Sequence, residues 1–401
     1  MVKKEKLDRV YLDYSATTPT DPRVVEEISR VMLEDFGNPS SIHQFGRDAR
    51  KLVDKAREEI RNFINANDPS EIIFTSGGSE SDNLAIFGLL AKSKIKKPHI
   101  ITSPIEHKAI LETLQVLEKK ELIELSMVRV DRDGLIDLEN LKREIKHNTI
   151  LITIMYANNE IGTIQPIRDI GKYLEKINTQ RIAGGFSKIY FHTDAVQAFQ
   201  YLNMDVKYLH VDMVSVSGHK FYGPKGVGFI YVKEGTPIEK TIFGGGQEFN
   251  KRAGTENVPG ICGMAKAVQI LKKEKEKDGE KIKKLRDKLV TEILKTPGVH
   301  LTGHKTKRLP SIASFVFDAI EGESILINLD LEGIAVSTGS ACTSGTLSPS
   351  HVLSACGYEH IEAQGNIRFS LGKYTTSKDI DRVLDILPGI VERLREMSPL
   401  G

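Results

Sequence analysis

Short apolar runs alternate with helical patterns from residue 71 to residue 232 of this 401-residue chain. The expected strands are 71–75, 99–102, 122–130, 149–155, 188–193, 212–216 and 226–232. The expected helices between them are 79–91, 107–120, 137–146 and 166–178. Alternation over such a length predicts an α/β fold, with a mostly parallel sheet covered by helices on both faces.

The organisation changes after about residue 260. A long charged helix is expected at 264–294, and strands are expected near 311–317 and 366–370, which together indicate a smaller α+β domain. The predicted domains are a large one at 14–262 and a small C-terminal one at 263–401, with residues 1–13 packing on the small one.

Composition excludes several classes of protein. The 56 basic and 54 acidic residues give a net charge of +2, so no general attraction to nucleic acid or acidic membranes is expected. No apolar run approaches membrane-spanning length, and the basic start lacks the apolar region of a secretory signal. Three scattered cysteines cannot form a disulfide framework, which favours a reducing, cytoplasmic setting.

The segment TSGGSESDN, residues 75–83, is a candidate phosphate site. It leaves a strand, turns on two glycines and opens a helix, with Ser79 as the expected N-cap and Asp82 three positions later. Helix N-termini bind phosphate through free N–H groups and the helix dipole. An ordinary capped turn is the alternative; the paired glycines followed by a hydroxyl favour the phosphate site.

Asp194 in FHTDAVQAF follows another apolar strand. Open α/β sheets bind ligands at the carboxyl ends of their strands, and an acid there is a frequent partner of a pyridinium nitrogen. Gln197, three residues on, could hydrogen-bond a ring substituent. The alternative for Asp194 is a simple helix N-cap.

His107 in SPIEHKAI and Asn159 in YANNEIG also follow strands. The imidazole could stack on a flat ring and move protons, and the amide could donate to a phenolate oxygen. A histidine without function at a helix start is the alternative for His107. All these residues are expected at the same edge of one sheet, whereas unrelated residues would scatter.

Lys220 lies in SVSGHKFYGPKGVG, residues 215–228, directly after a buried strand. Burial would lower the pKa of its amine and let it form a Schiff base, although an ordinary surface lysine is the alternative. A phosphate site, an aspartate and a lysine in this order indicate a pocket for pyridoxal phosphate.

Two further residues bear on the reaction. Cys342 lies in STGSACTSGTLSPS, residues 337–350, whose residues are too small and polar to form a hydrophobic core. We expect its thiol to collect a group at the cofactor and carry it away. Cys262 and Cys356 have more apolar surroundings and are expected to lack chemistry. Arg368 in NIRFSLG either clamps a substrate carboxylate or forms a structural ion pair.

The chain resembles the cysteine desulfurases of iron–sulfur cluster assembly, the NifS/IscS-like group of fold-type I pyridoxal phosphate enzymes. The matching blocks are YLDYSATTP, FGNPSS, FTSGGSESDNLAI, EHKAIL, NNEIG, HTDAVQ, SGHKFYGPKG, GTEN, EGES, STGSACTS and IRFSLG. They run nearly end to end in family order, and the resemblance implies a seven-stranded sheet.

The resemblance also implies roles for the candidate residues. Catalytic roles fall to Cys342 as sulfur acceptor, Lys220 as Schiff-base lysine and His107 stacked on the ring. The implied cofactor contacts are Gly78, Ser79, His107, Asn159, Asp194, Gln197, Ser217, His219, Lys220 and, from a partner subunit, Thr255. The implied substrate contacts are Asn38, Asn159 and Arg368. No resident metal is implied, only a transient contact of Cys342 with an iron–sulfur cluster.

The implied activity converts L-cysteine to L-alanine and a Cys342 persulfide. The sulfur would pass to an iron–sulfur scaffold or another acceptor protein, including one for tRNA thiolation; a homodimer is implied, without direct nucleic acid or membrane contact. Selenocysteine lyase, an aminotransferase and a non-catalytic scaffold remain alternatives. The chain departs from the family where Gly78-Ser79 replaces a frequent Ala-Thr, and residues 178–187 are expected to form a longer surface loop.

Overall fold

The computed structural model describes residues 9–339 and 349–398. The strands in these ranges are β1 (Val10–Tyr11), β2 (Ile72–Thr75), β3 (His99–Thr102), β4 (Glu124–Met127), β5 (Thr149–Thr153), β6 (Tyr190–Asp194), β7 (Met213–Ser217), β8 (Gly228–Val232), β9 (Val299–Leu301), β10 (Ile312–Phe317), β11 (Ile334–Ala335) and β12 (Asn366–Ser370). The helices are α1 (Pro22–Glu34), α2 (Gln44–Ile64), α3 (Gly78–Lys92), α4 (Lys108–Lys119), α5 (Leu138–Glu144), α6 (Ile167–Ala183), α7 (Val206–Leu209), α8 (Gln247–Asn250), α9 (Val258–Ile293), α10 (Gly322–Leu331), α11 (His351–Ala355), α12 (His360–Gln364) and α13 (Ser377–Met397).

In the part of the chain described, the central sheet has seven strands in the order β2-β8-β7-β6-β5-β3-β4. The pairs β3–β4, β3–β5, β5–β6 and β6–β7 are parallel, and β8 pairs antiparallel with both of its neighbours. The predicted α/β fold with a mostly parallel seven-stranded sheet is therefore confirmed. Because β2, β3, β5, β6 and β7 run the same way, their carboxyl ends meet at one edge.

Both faces of the sheet are covered. One face packs against α1, α2 and α9, and the other packs against α3 and α4. All residues of β2, β3, β5, β7 and β8 are buried, as expected for strands enclosed by helices on both sides. The edge carrying the candidate residues therefore has a rigid support.

The C-terminal part has its own core. There β9, β10 and β12 form an antiparallel sheet, which packs with α10 and α13. Val10 and Leu12 join this core, because β1 pairs with β11. The long helix α9 contacts both cores, the larger through its first half and the smaller through its second. The exact domain boundaries stay a prediction.

The prediction of a surface loop at 178–187 was wrong for residues 178–183, which are helical. Helix α6 continues to Ala183 and ends at Gly184. Arg181 in its last turn donates to the carbonyls of Lys146, His147 and Ser187, which holds the helix end against the sheet. Within 9–339 and 349–398, no helix is both long and apolar enough to cross a membrane.

Candidate active site

Lys220 lies at the end of a short 3₁₀ turn, Gly218–Lys220, that follows β7. Its ammonium donates to the carbonyl oxygens of Ser15 at 2.6 Å and Ala16 at 2.8 Å, so it points into the protein. Burial lowers the pKa of Lys220 to about 8; the positive charge of Arg368 acts in the same direction, and Asp194 opposes it. Roughly a tenth of the amine is then neutral at pH 7, far more than for a lysine in water. The position fits a nucleophilic amine and not a surface lysine.

Asp194 ends β6 and is almost fully buried. Its Oδ1 accepts from the N–H of Val196 at 2.8 Å. No α-helix begins there among the described residues, so the N-cap alternative for Asp194 was wrong. Burial raises the pKa of Asp194, while the nearby His107 ring, the N–H of Val196 and the Lys220 ammonium lower it. The carboxyl group therefore lies at the sheet edge that also carries Lys220, which follows the neighbouring strand β7.

Gln197 shares an acceptor with Lys220. Its Nε2 donates at 2.9 Å to the same Ser15 carbonyl that Lys220 contacts. One backbone carbonyl therefore fixes both side chains at the edge where Asp194 lies. Sequence reasoning missed this carbonyl, because backbone atoms far away in the chain leave no residue-type signal.

His107 is the N-cap of α4 and its ring is exposed. Its Nδ1 accepts from the N–H of Ala109 at 3.1 Å, which assigns the ring proton to Nε2 in the neutral form. The ring is thus oriented by the start of α4 and available to a ligand.

The candidate phosphate site lies where α3 begins. Its N-cap is Gly77 and not Ser79 as expected, and no side chain caps the helix. Gly77 has a φ of 152°, in the region that favours glycine. In the described ranges, no acceptor is found for the N–H groups of Gly78 and Ser79. Free donors at a helix start fit a phosphate group.

Ser217 borders this helix start, and His219 follows it in the 3₁₀ turn after β7. The Ser217 hydroxyl would lie 3.5 Å from a Cβ placed on Gly77, so it faces the turn. The Nδ1 of His219 lies 3.1 Å from the Thr17 hydroxyl. Burial, aided by Lys220 and Lys225, lowers the pKa of His219 to about 4, so the ring is neutral at pH 7 and can act only as a hydrogen-bond donor or acceptor.

Arg368 on β12 is buried next to this edge. Its Nη2 forms an ion pair with Oδ1 of Asp13 at 2.8 Å, and its Nη1 donates to the carbonyl oxygen of Asn159 at 3.0 Å. Among the described residues, its buried Nε has no hydrogen-bond acceptor. The structural ion pair considered for Arg368 therefore exists in the structure.

Asn38 and Thr255 lie apart from this cluster. Asn38 is exposed in the loop between α1 and α2, where its Oδ1 accepts from the N–H of Ser40. Thr255 is exposed just before α9. Among the described residues, no hydrogen bond joins either one to the other candidates. Cys342 lies outside the described residues, so its role stays a prediction.

The two other cysteines are buried. Burial raises the pKa of both Cys262 and Cys356 to about 12, so neither forms a thiolate near neutral pH. In the part of the chain that the structure describes, no cluster of three or more potential ligands could hold a metal ion.

Buried acids behind the site were missed by sequence reasoning. Glu106 accepts from the Ser103 hydroxyl at 2.5 Å and from the N–H of Met155 at 3.0 Å, and burial raises its pKa to about 8. Asp82 on α3 is also buried, and its Oδ1 has no hydrogen-bond donor in the described part of the chain. An acid beside apolar residues, in helix α3 for Asp82 and in the turn before α4 for Glu106, is the only signal they leave, and it is weak.

The arrangement fits pyridoxal phosphate. Uncapped N–H groups can donate to its phosphate, a buried carboxylate can pair with its ring nitrogen, and a lysine of lowered pKa can bind its aldehyde. Each group required by this cofactor has a counterpart at the same sheet edge.

Comparisons with known proteins agree with this chemistry. Residues 10–383 match the family described as Aminotransferase class-V. The chain is 50% identical over 391 residues to a cysteine desulfurase IscS of Dictyoglomus turgidum, covering 97% of this chain and 96% of that protein. It is 48% identical to a cysteine desulfurase IscS of Methanosarcina thermophila, covering 98% and 94%.

Two solved structures are similar along most of the chain. A NifS-like protein superposes with a TM-score of 0.88 at 40% identity, covering 96% of this chain and all of that one. A structure titled SspA in complex with cysteine superposes with a TM-score of 0.79 at 36% identity, covering 92% and 100%. The fold, the site and these relatives agree: the chain belongs to the aminotransferase class-V family, within its pyridoxal phosphate-dependent cysteine desulfurases.

Proposed function

We propose that this chain removes sulfur from L-cysteine, leaving L-alanine and a persulfide on Cys342. The observation that carries the proposal is the Lys220 amine, held at the carboxyl edge of the sheet by the Ser15 and Ala16 carbonyls with a pKa of about 8, at the same edge as the buried Asp194 carboxyl. A cysteine-bound relative of the same fold supports cysteine as the substrate.

The cofactor would be held by a few groups. Lys220 would bind it covalently, Asp194 would pair with the ring nitrogen and Gln197 would meet the ring oxygen. Its phosphate would accept hydrogen bonds from the N–H groups of Gly78 and Ser79. When bound, pyridoxal phosphate supplies an electron-withdrawing ring that stabilises negative charge on the substrate α-carbon.

The residues around that ring would bind the substrate and move protons. The Nζ atom of Lys220 can accept or return a proton near neutral pH because its pKa is lowered. The His107 Nε2–H can serve as a donor, since Nδ1 is occupied by the N–H of Ala109. The guanidinium of Arg368 would bind the substrate carboxylate, with Asn159 and Asn38 as further contacts.

Sulfur transfer needs a thiolate, and Cys342 is the candidate. Its sulfur would attack the sulfur of bound cysteine, so an S–S bond forms and the C–S bond breaks. The electron pair of the broken bond stays on the substrate β-carbon, which takes up a proton. The atoms balance as L-cysteine plus one enzyme thiol giving L-alanine plus one enzyme persulfide.

A homodimer is part of the proposal. Thr255 would contact the phosphate of the cofactor bound in the partner subunit. Its exposed position just before α9 is suited to this contact. Exposed apolar side chains around Asn38 support an interface with a second copy of the chain. Ile42 is 91% exposed. Phe36 and Phe45 are 69% and 59% exposed, and their rings stack with centroids 5.5 Å apart. The persulfide sulfur would pass to an iron–sulfur scaffold or another acceptor protein in the cytoplasm.

A visible spectrum of the purified holoenzyme, recorded before and after adding L-cysteine, with alanine measured, tests the proposal. The cofactor band should disappear in Lys220→Ala, and Cys342→Ala should keep the band but lose sulfur transfer. Cys262→Ala and Cys356→Ala serve as controls, because both thiols are buried and protonated. Wild-type sulfide release by Cys342→Ala would disprove the proposed role of Cys342.

A further inference from the structure

Residues 337–339, just before the segment that contains Cys342, are fixed to β12. The N–H of Arg368 donates to the Ser337 carbonyl at 2.7 Å, and the N–H of Ser337 donates back at 3.2 Å. The N–H of Gly339 donates to Oδ1 of Asn366 at 2.8 Å. The Asn366 amide is itself held by Ser314 and Phe315, with both bonds 3.0 Å long.

Residues 350–351, just after the segment, are fixed to the opposite wall. The Ser350 hydroxyl donates to Oε2 of Glu160 at 2.5 Å. The Nε2 of His351 donates to the carbonyl oxygen of Glu106 at 3.0 Å, next to His107. Helix α11 begins here, with Ser350 as its N-cap. This end is therefore tied to the two turns that carry His107 and Asn159.

Glu160 lies where the two ends meet. A Cβ placed on Gly339 would lie 2.6 Å from the Glu160 carboxylate and 3.2 Å from the Cβ of Ser350. The Glu160 side chain is buried, and Asn158 holds its turn by accepting from the N–H groups of Glu160 and Ile161. One buried carboxylate thus fills the space between both ends.

The same turn reaches the proposed substrate contacts. Asn159 precedes Glu160, and its carbonyl oxygen accepts from Arg368. Arg368 in turn pairs with Ser337. Both ends of the Cys342 segment are therefore connected to the proposed carboxylate contacts through hydrogen bonds of Glu160, Asn159 and Arg368.

We propose that Glu160 is a positioning residue for sulfur transfer, holding the two ends of segment 340–348 so that the Cys342 thiol meets the substrate sulfur. This inference rests on the proposed role of Cys342. Cys342 is three residues beyond Gly339, and three residues span at most about 11 Å, so the place of Gly339 sets the reach of the thiol. A misplacement of about 1 Å can lower a rate up to about a hundredfold.

A purely structural role for Glu160 predicts different behaviour. Loss of a buried hydrogen bond would then lower the stability of the holoenzyme and its cofactor content together, without a specific effect on sulfur transfer. A positioning role predicts that cofactor content and cysteine binding persist while transfer slows. The decisive readouts are therefore the spectral change on binding cysteine and the mass gain of one sulfur atom on Cys342.

The experiment compares holoenzymes of Glu160→Ala and Glu160→Gln with the wild type. Gln can still accept from the Ser350 hydroxyl, so Glu160→Gln should keep most of the activity. Glu160→Ala should lower kcat and the rate of Cys342 persulfide formation about ten- to a hundredfold, with KM and the cysteine-induced spectral change preserved. Equal persulfide rates in Glu160→Ala and the wild type would overturn the inference.

Two further variants make every outcome decisive. Gly339→Ala disturbs the same junction from the other side, because its Cβ would meet Glu160 and Asn366; it should show the same slow transfer and replaces Glu160→Ala if that variant does not fold. Cys342→Ala separates the two proposals. If it stays active, the proposed function itself fails; if it is inactive while Glu160→Ala and Gly339→Ala are unimpaired, only the inference about Glu160 fails.

Discussion

Arg368 and Asp13 form an ion pair 2.8 Å long, although they lie 355 positions apart in the sequence. Asp13 follows β1 and Arg368 belongs to β12, so the pair fastens the N-terminal segment to the small sheet. The carbonyl oxygen of Asn159 accepts from a second guanidinium nitrogen, and the buried Nε has no acceptor within 9–339 and 349–398. The proposed carboxylate clamp is therefore oriented before the substrate arrives.

Arg368→Lys should raise the KM for L-cysteine about tenfold or more, with a smaller change in kcat. A lysine has no planar fork, so it cannot keep Asp13 and Asn159 while binding a carboxylate. Steady-state kinetics of the holoenzyme measure the effect. Asp13→Asn, which keeps a hydrogen-bond acceptor, should change KM less; an unchanged KM in Arg368→Lys would remove Arg368 from the substrate site.

The lowered pKa of Lys220 should appear in the stability of the cofactor-free protein. Between pH 8 and about 10.5 the unfolded lysine still binds a proton that the folded one has released, so stability should rise with pH across this window. The gain should reach about 2–3 kcal/mol. Urea unfolding of wild type and Lys220→Met at pH 7.5 and 10 measures it, and parallel curves for the two proteins would contradict it.

Asp82 should have the opposite effect on the pH dependence of stability to that of Lys220. Its Oδ1 lies 3.8 Å from Nε2 of His192, which hydrogen-bonds Ser215 and is neutral because burial lowers its pKa to about 3. Burial raises the pKa of Asp82 well above its usual value, and the nearby charge of Asp194 acts in the same direction. The folded chain therefore keeps a proton that the unfolded chain loses above about pH 4.

Stability should consequently fall as pH rises above 4 in the wild type relative to Asp82→Asn. One retained proton gives a slope of at most about 1.4 kcal/mol per pH unit. The cofactor-free proteins should be compared by urea unfolding at several pH values from 4.5 to 7. A stability difference that does not vary with pH would mean that Asp82 is ionised in the folded chain.

The buried pair of Arg57 and Glu248 should be essential for stability. Both guanidinium Nη atoms donate to the carboxylate at 2.8 Å, and the N–H of Phe74 donates to it at 2.9 Å. Glu248→Ala leaves the Arg57 charge buried without its partner, so the loss should be about 3–5 kcal/mol by denaturant unfolding.

Glu58→Ala is the matched control for Glu248→Ala. Glu58 pairs with Arg61 on the same helix, α2, but both side chains are partly exposed to solvent. Its loss should be below about 1 kcal/mol. Similar losses for the two variants would show that burial of the Arg57 pair adds nothing.

The strand-to-helix pattern was enough to predict the sheet, because hydrophobic periodicity is a local property of the chain. It was also enough to gather Asp194, His107 and Lys220 at one edge, because parallel strands end together. The cap of α3 was predicted wrongly from a local rule. Gly77 lies so close to Gly228 of β8 that a Cβ on Gly228 would come within 2.7 Å of the Gly77 Cα, and this packing sets where the turn is made.

The sequence by itself determined the fold class, the family and the residue types of the site, since each depends on local patterns or short motifs. Only the tertiary structure decided which partners those residues have. Ser350 and Glu160 are 190 positions apart, and Lys220 meets the carbonyl oxygen of Ser15 across 205 positions. Such contacts depend on how the elements pack in three dimensions, and no local pattern of residues encodes them.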